Sequence, residues 1–156
     1  RSGRRGLTPV ISVEIEDEAW TAAAADAEAR VVAAARAALD GVDGEVVVLL
    51  TDDATVRDLN ARFRDKDRPT NVLSFPAPET ARPHLGDLVL ALGVCVAEAA
   101  EQGKTVGDHL SHLVVHGVLH LLGHDHEDEI EAEAMEARER VVLATLGVAD
   151  PYAGQR

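Results

Sequence analysis

The chain of 156 residues has one cysteine, Cys95. No disulfide can form within it, and that usage fits a reducing compartment, here the cytoplasm. Aromatic residues are scarce at 3 %, namely Trp20, Phe63, Phe75 and Tyr152, so the core has to be built from Val, Leu, Ile and Ala. No apolar run reaches the roughly 18 residues that span a bilayer, which argues against a membrane partner. Positive charge is also short, with 15 Lys and Arg against 28 Asp and Glu and a net charge of −13. That balance argues against a surface that binds nucleic acid generally, and DNA is not an expected partner. Residues 1–9 begin with a basic stretch, Arg1 to Thr8, without the apolar centre of a signal peptide. They read as a disordered leader or cloning remnant, and 10–156 as one domain.

Within that domain, strand and helix patterns alternate. Val10 to Ile15 reads as a strand, Ala19 to Leu39 as one long helix and Glu45 to Thr51 as a buried strand. Asp52 or Asp53 caps a helix to about Arg62. After a charged loop, Val72 to Phe75 is a short strand closed by Pro76, and Gly86-Asp87 opens a strand from Leu88 to Ala91. Helices follow at Val94 to Glu101, Val106 to Leu122 and Asp128 to Leu146. The mixture predicts an α+β or mixed α/β domain around one sheet. Eight acidic residues crowd the segment after the histidines, from Asp125 to Glu139, and read as a solvated helix face. Cys95 reads as a small buried hydrophobe.

The segment His116-Gly-Val-Leu-His-Leu-Leu-Gly-His-Asp-His126 carries the chemistry. On a helix His116 and His120 share a face, with Cβ atoms roughly 5–6 Å apart. That separation lets two imidazoles reach one ion at about 2.0–2.1 Å. Gly123 can end the helix in a left-handed turn and bring His126 back as a third ligand, with His124 and Asp125 as rivals. Asp125 could instead orient a ligand histidine, and His124 contact substrate. Three protein ligands leave a position for water, the layout of a catalytic zinc site. The spacing matches the zinc motif of metzincin proteases, except that Gly117 stands where those enzymes carry their glutamate base. His109 and His112 extend the stripe. His109 reads as a surface residue, and His112 as a residue that lines the site as a proton donor or a substrate contact.

A second constellation lies upstream. Arg62, Arg64, Lys66 and Arg68 sit in one short stretch of an otherwise acidic chain. A cationic loop on such a chain suits an anionic ligand, and arginine presents a fork that fits phosphate oxygens.

These residues, with Pro69-Thr-Asn-Val-Leu-Ser-Phe-Pro76, Gly86-Asp87-Leu88 and Asp150-Pro151-Tyr152, resemble the YbeY family of bacterial endoribonucleases. The likeness runs from about Ile11 to Tyr152. It implies a mixed four-stranded sheet packed with about five helices. It implies one divalent metal ion, of the zinc type, on His116, His120 and His126, with the functional arginine at Arg64. It implies cleavage of single-stranded RNA, maturation of ribosomal RNA at the small-subunit 3′ end, and ribosome quality control. His124 departs from the family pattern, where many relatives carry tyrosine, and adds a titratable group near the metal. The acidic surface predicts weak binding to free RNA, so the small ribosomal subunit or its proteins would deliver the substrate. Two alternatives are a peptidase-like metallohydrolase and a non-catalytic assembly factor with a structural metal. Because ligand histidines must be neutral, metal should be lost as pH falls below about 6.5.

Overall fold

In a computed structural model, residues 9–125 and 127–153 are described. All of the expected leader except Pro9 lies outside them, as does His126. Four strands form one sheet in the order β1-β2-β4-β3, with β1 at Val10–Ile15, β2 at Glu45–Thr51, β3 at Val72–Pro76 and β4 at His84–Ala91. β1, β2 and β4 run parallel, joined through helices, as parallel neighbours require. β3 connects to β4 by a short loop and pairs with it antiparallel, from Val72 opposite Leu90 to Pro76 opposite Gly86. β3 is therefore an edge strand.

Six α-helices are found among the described residues, where about five were expected: α1 (Ala19–Ala23), α2 (Ala27–Leu39), α3 (Asp53–Arg64), α4 (Leu92–Glu101), α5 (Val106–Leu121) and α6 (Glu129–Thr145). The extra helix arises because the single helix expected over Ala19 to Leu39 is two. Ala24 takes an extended conformation between them. Trp20, fully buried, donates its indole N–H to the Thr51 carbonyl at 2.9 Å. Tying the largest side chain of the core to the end of β2 fixes the course of α1, and uniform alanine propensity gives no sign of that break.

The main core lies between one sheet face and α2, α5 and α6, built on Val46, Val48, Leu50, Leu88 and Leu90 against Val31, Leu110, Val114 and Leu143. A smaller cluster under α3 joins Val56, Leu73, Val89 and Ala91 on the other face. α5 is the central helix and is buried almost all round. Its N-terminus is closed by Thr105, which accepts from the Asp108 N–H at 3.0 Å. Such caps stabilise a helix by about 1 kcal/mol.

Two glycines let α5 lie close to the sheet. A Cβ at Gly117 would meet Leu88 Cδ2 at 2.7 Å, and one at Gly86 would meet Leu121 Cδ2 and the Phe75 carbonyl oxygen, both at 2.6 Å. Position 117 thus faces β4. The protease comparison had treated this glycine as a missing catalytic base; a side chain there would enter the core instead.

Candidate metal centre and adjoining cleft

The last turns of α5 and the edge strand β3 are neighbours. Between them opens a cleft of about 800 Å³, lined by Arg64, Lys66, Asn71, Ser74, His116, His120, His124 and Asp125 among others. Gly123, at φ +102°, ends α5 as expected, and the chain turns with the His124 N–H on the Leu119 carbonyl at 3.0 Å. That turn puts His124 and Asp125 on the cleft wall.

His116 and His120 stand one turn apart with ring centroids 4.8 Å apart and planes at 80°. What fixes His116 is Glu139, on α6. Its carboxylate is completely buried and accepts from His116 Nδ1 at 2.6 Å, His112 Nε2 at 2.9 Å and the Tyr152 hydroxyl. With Nδ1–H committed to the carboxylate, a neutral His116 carries its lone pair on Nε2, across the ring. Burial alone would raise the Glu139 carboxyl, but the bonds from His112, His116 and Tyr152 outweigh it and hold the group down at about 2. Burial, with Glu139 beside it, pushes the Tyr152 hydroxyl above its ordinary value, so it remains a donor.

This corrects the reading of the acidic segment. Glu127, Asp128, Glu129, Glu131 and Glu133 are exposed as expected, but Glu139 is in the core. The signal was present in spacing: Glu139 falls in step with Met135, Val142 and Leu143, the buried face of α6. His109 is a second correction. It is 3 % exposed, with Nε2 on Glu98 Oε1 at 2.8 Å, and Glu98 also accepts from Asn71 Nδ2 at 3.0 Å. His109 Nδ1 and His112 Nδ1 have no hydrogen-bond partner among the described residues, and each ring meets its carboxylate through Nε2–H. Desolvation lowers the His109 pKa although Glu98 opposes it.

His112 does not reach the cleft. It lies beneath His116, between Glu139 and Tyr152, with its ring centroid 5.6 Å from the tyrosine ring. Of the four basic residues, Arg64 and Lys66 line the cleft and Arg62 and Arg68 do not. Arg62 is paired with Asp58 at 2.7 Å. Arg64 donates to the Ser74 carbonyl on β3 and sits 5.6 Å from the Phe75 ring centroid. The opposite rim is anionic: ligand atoms of Asp125, Glu127 and Glu131 lie within 4.8 Å of one another. Repulsion from Asp128 raises the Glu131 carboxyl, and desolvation and repulsion from Asp125 and Glu127 add to it. Asp125 lies on this rim, and the carboxylate that meets His116 Nδ1 is Glu139.

The donor chemistry fits a divalent metal of the zinc type. Two imidazoles stand side by side on one wall, and a buried carboxylate orients one of them through Nδ1, so Nε2 is the atom with which that ring would ligate. A cationic wall faces them across an open cleft. Such an arrangement has the donors for a metal-type histidine centre and room beside it for an anionic ligand.

The family model described as Endoribonuclease YbeY matches residues 10–147. An Endoribonuclease YbeY of Paramagnetospirillum magneticum is 52 % identical over 162 residues, covering 96 % of this chain and 99 % of its own length. One from Azorhizobium caulinodans is 53 % identical over 153 residues, covering 92 % and 96 %. A solution structure of a Thermotoga maritima protein shares the fold, with a TM-score of 0.56 at 24 % identity over 88 % of this chain and 92 % of that one. The chain belongs to the YbeY endoribonuclease family.

Proposed function

We propose that the chain is a metal-dependent endoribonuclease that cuts single-stranded RNA in the maturation of ribosomal RNA, at the small-subunit 3′ end and in ribosome quality control. The observation that carries this reading is the hydrogen bond that buried Glu139 accepts from His116 Nδ1, behind the wall of a cleft also lined by Arg64 and Lys66. Its ion is held by His116 and His120, with His126, outside the described residues, as the third ligand, and zinc is the ion that suits imidazole donors of this kind. When bound, the ion supplies Lewis acidity toward a phosphoryl oxygen and makes water more acidic.

The protein's own groups do the rest. Arg64 and Lys66 hold the scissile phosphate and stabilise its charge as it develops. His124, on the cleft wall, is placed to carry a proton, whereas His112 is occupied by Glu139 and Tyr152. Glu139 fixes the His116 ring. The peptidase alternative loses support because position 117 faces Leu88. The structural-metal alternative loses support because the histidine wall opens onto a cleft. The acidic rim disfavours free RNA, so the substrate arrives in the cytoplasm on the small ribosomal subunit or its proteins. His116→Ala and Arg64→Ala should each abolish cleavage of a single-stranded RNA while circular dichroism stays native. Full cleavage by either variant would overturn the assignment.

A further inference from the structure

A chain with only two phenylalanines places one of them in solvent. Phe63, in the last turn of α3, is 65 % exposed. It continues the helix stripe of Val56 and Leu59, which pack under the sheet, but it runs past the edge of that core. A ring serving only as core would be covered. Phe63 instead leans edge-to-face on half-buried Phe75, with centroids 5.7 Å apart and planes at 74°. Phe75 in turn lies under the Arg64 guanidinium. The two rings, Arg64, Lys66, Ser74 and Pro76 line a shallow hollow of about 580 Å³ that shares its last four residues with the histidine cleft.

Charge identifies what fits. Among the described residues, ion pairs engage the neighbouring Arg57 with Asp67 and Arg62 with Asp58, and leave Arg64 and Lys66 out. An aromatic face braced by a second ring and flanked by two such cations suits a base attached to a phosphate. We propose that Phe63 is a stacking platform for one unpaired nucleobase of the RNA, next to the phosphate held by Arg64 and Lys66. In a duplex both faces of each base are already stacked, so such a platform accepts single strands only. This rests on the endoribonuclease reading and deepens it, since it locates a source of single-strand preference.

The test uses the full metal-loaded chain and an eight-nucleotide single-stranded RNA, intact or with one abasic position scanned along it. Phe63→Ala should raise KM and Kd about 5- to 150-fold, the range expected for one lost stack, with kcat little changed. Phe63→Tyr should behave as wild type. One abasic position should weaken the wild-type protein as much as the alanine substitution does, and should weaken the alanine variant no further. In Phe63→Trp, binding should quench the new indole, whose only counterpart, Trp20, is buried. Equal KM and Kd for wild type and Phe63→Ala would overturn the platform. So would a loss in Phe63→Ala that every abasic substitution adds to equally. Quenching reports stacking even if the protein cuts no RNA, so failure of the nuclease reading is seen separately.

Discussion

The replacement Glu139→Gln changes almost no volume but rewrites the hydrogen bonds behind the histidine centre. The carboxylate takes His116 on one oxygen and His112 with Tyr152 on the other. An amide has one acceptor and one donor. If its oxygen stays with His112 and Tyr152, its NH2 meets His116 Nδ1, which must then give up its proton. The proton moves to Nε2, the nitrogen needed for metal. The flipped amide would need both His112 and Tyr152 to turn from donor to acceptor, where the first needs only His116 to do so, so the first arrangement is favoured. Loss of such an orienting partner costs about 10- to 100-fold in metal affinity, or about 1.4–2.8 kcal/mol. Stability should change much less. Charge-assisted bonds worth about 1.5–3 kcal/mol are weakened, but the desolvation cost of a buried charge is removed with them. Glu139→Ala would be a poorer probe: it leaves three buried donors unpaired at about 1–3 kcal/mol each, a large share of a typical 5–15 kcal/mol. Zinc competition against a chelator gives the affinity, and two-bond proton–nitrogen correlations give the His116 tautomer. Affinity within threefold of wild type, with the tautomer unchanged, would refute the reasoning.

His109 is neutral in the fold because desolvation lowers its pKa, whereas in the unfolded chain it titrates near 6.5. The unfolded state therefore binds the extra proton first, and stability tied to this group is complete above about pH 6.5 and declines as pH falls below it. Chemical denaturation from about pH 7.5 to about pH 5.5 should show wild type losing more stability than His109→Gln; parallel slopes would contradict the placement beside Glu98, Lys104 and His112. Gly117→Glu forces a carboxylate against Leu88 and should abolish folding, without creating peptidase activity. Gly117→Ala, with about 1–3 kcal/mol of overpacking offset by about 1 kcal/mol of helix propensity, should only lower the melting temperature. A Gly117→Glu protein that melts like wild type would remove the packing role of this glycine.

Much of this architecture was legible because it is written in local rules. β1 and β2 have the expected boundaries, Asp52 caps α3 through the Thr55 N–H at 2.8 Å, and Gly123 ends α5 where its left-handed conformation was expected. Local spacing also placed His116 and His120 on one face. What escaped depends on contacts far apart in sequence. Glu139 looked like one more member of an acidic face until His112, His116 and Tyr152 converged on it. His109 looked exposed until Glu98 met it from α4. The break at Ala24 follows from a bond between Trp20 and Thr51, which no helix propensity reports.

The most direct test is the metal content of the purified full chain, measured by elemental analysis for wild type, His116→Ala and His120→Ala. Wild type should carry about one divalent ion per chain and each variant should lose it, in step with RNA cleavage that a chelator abolishes and added zinc restores. A full complement of metal in both variants, or undiminished cleavage by wild type after the metal is stripped, would contradict a centre built on these two histidines.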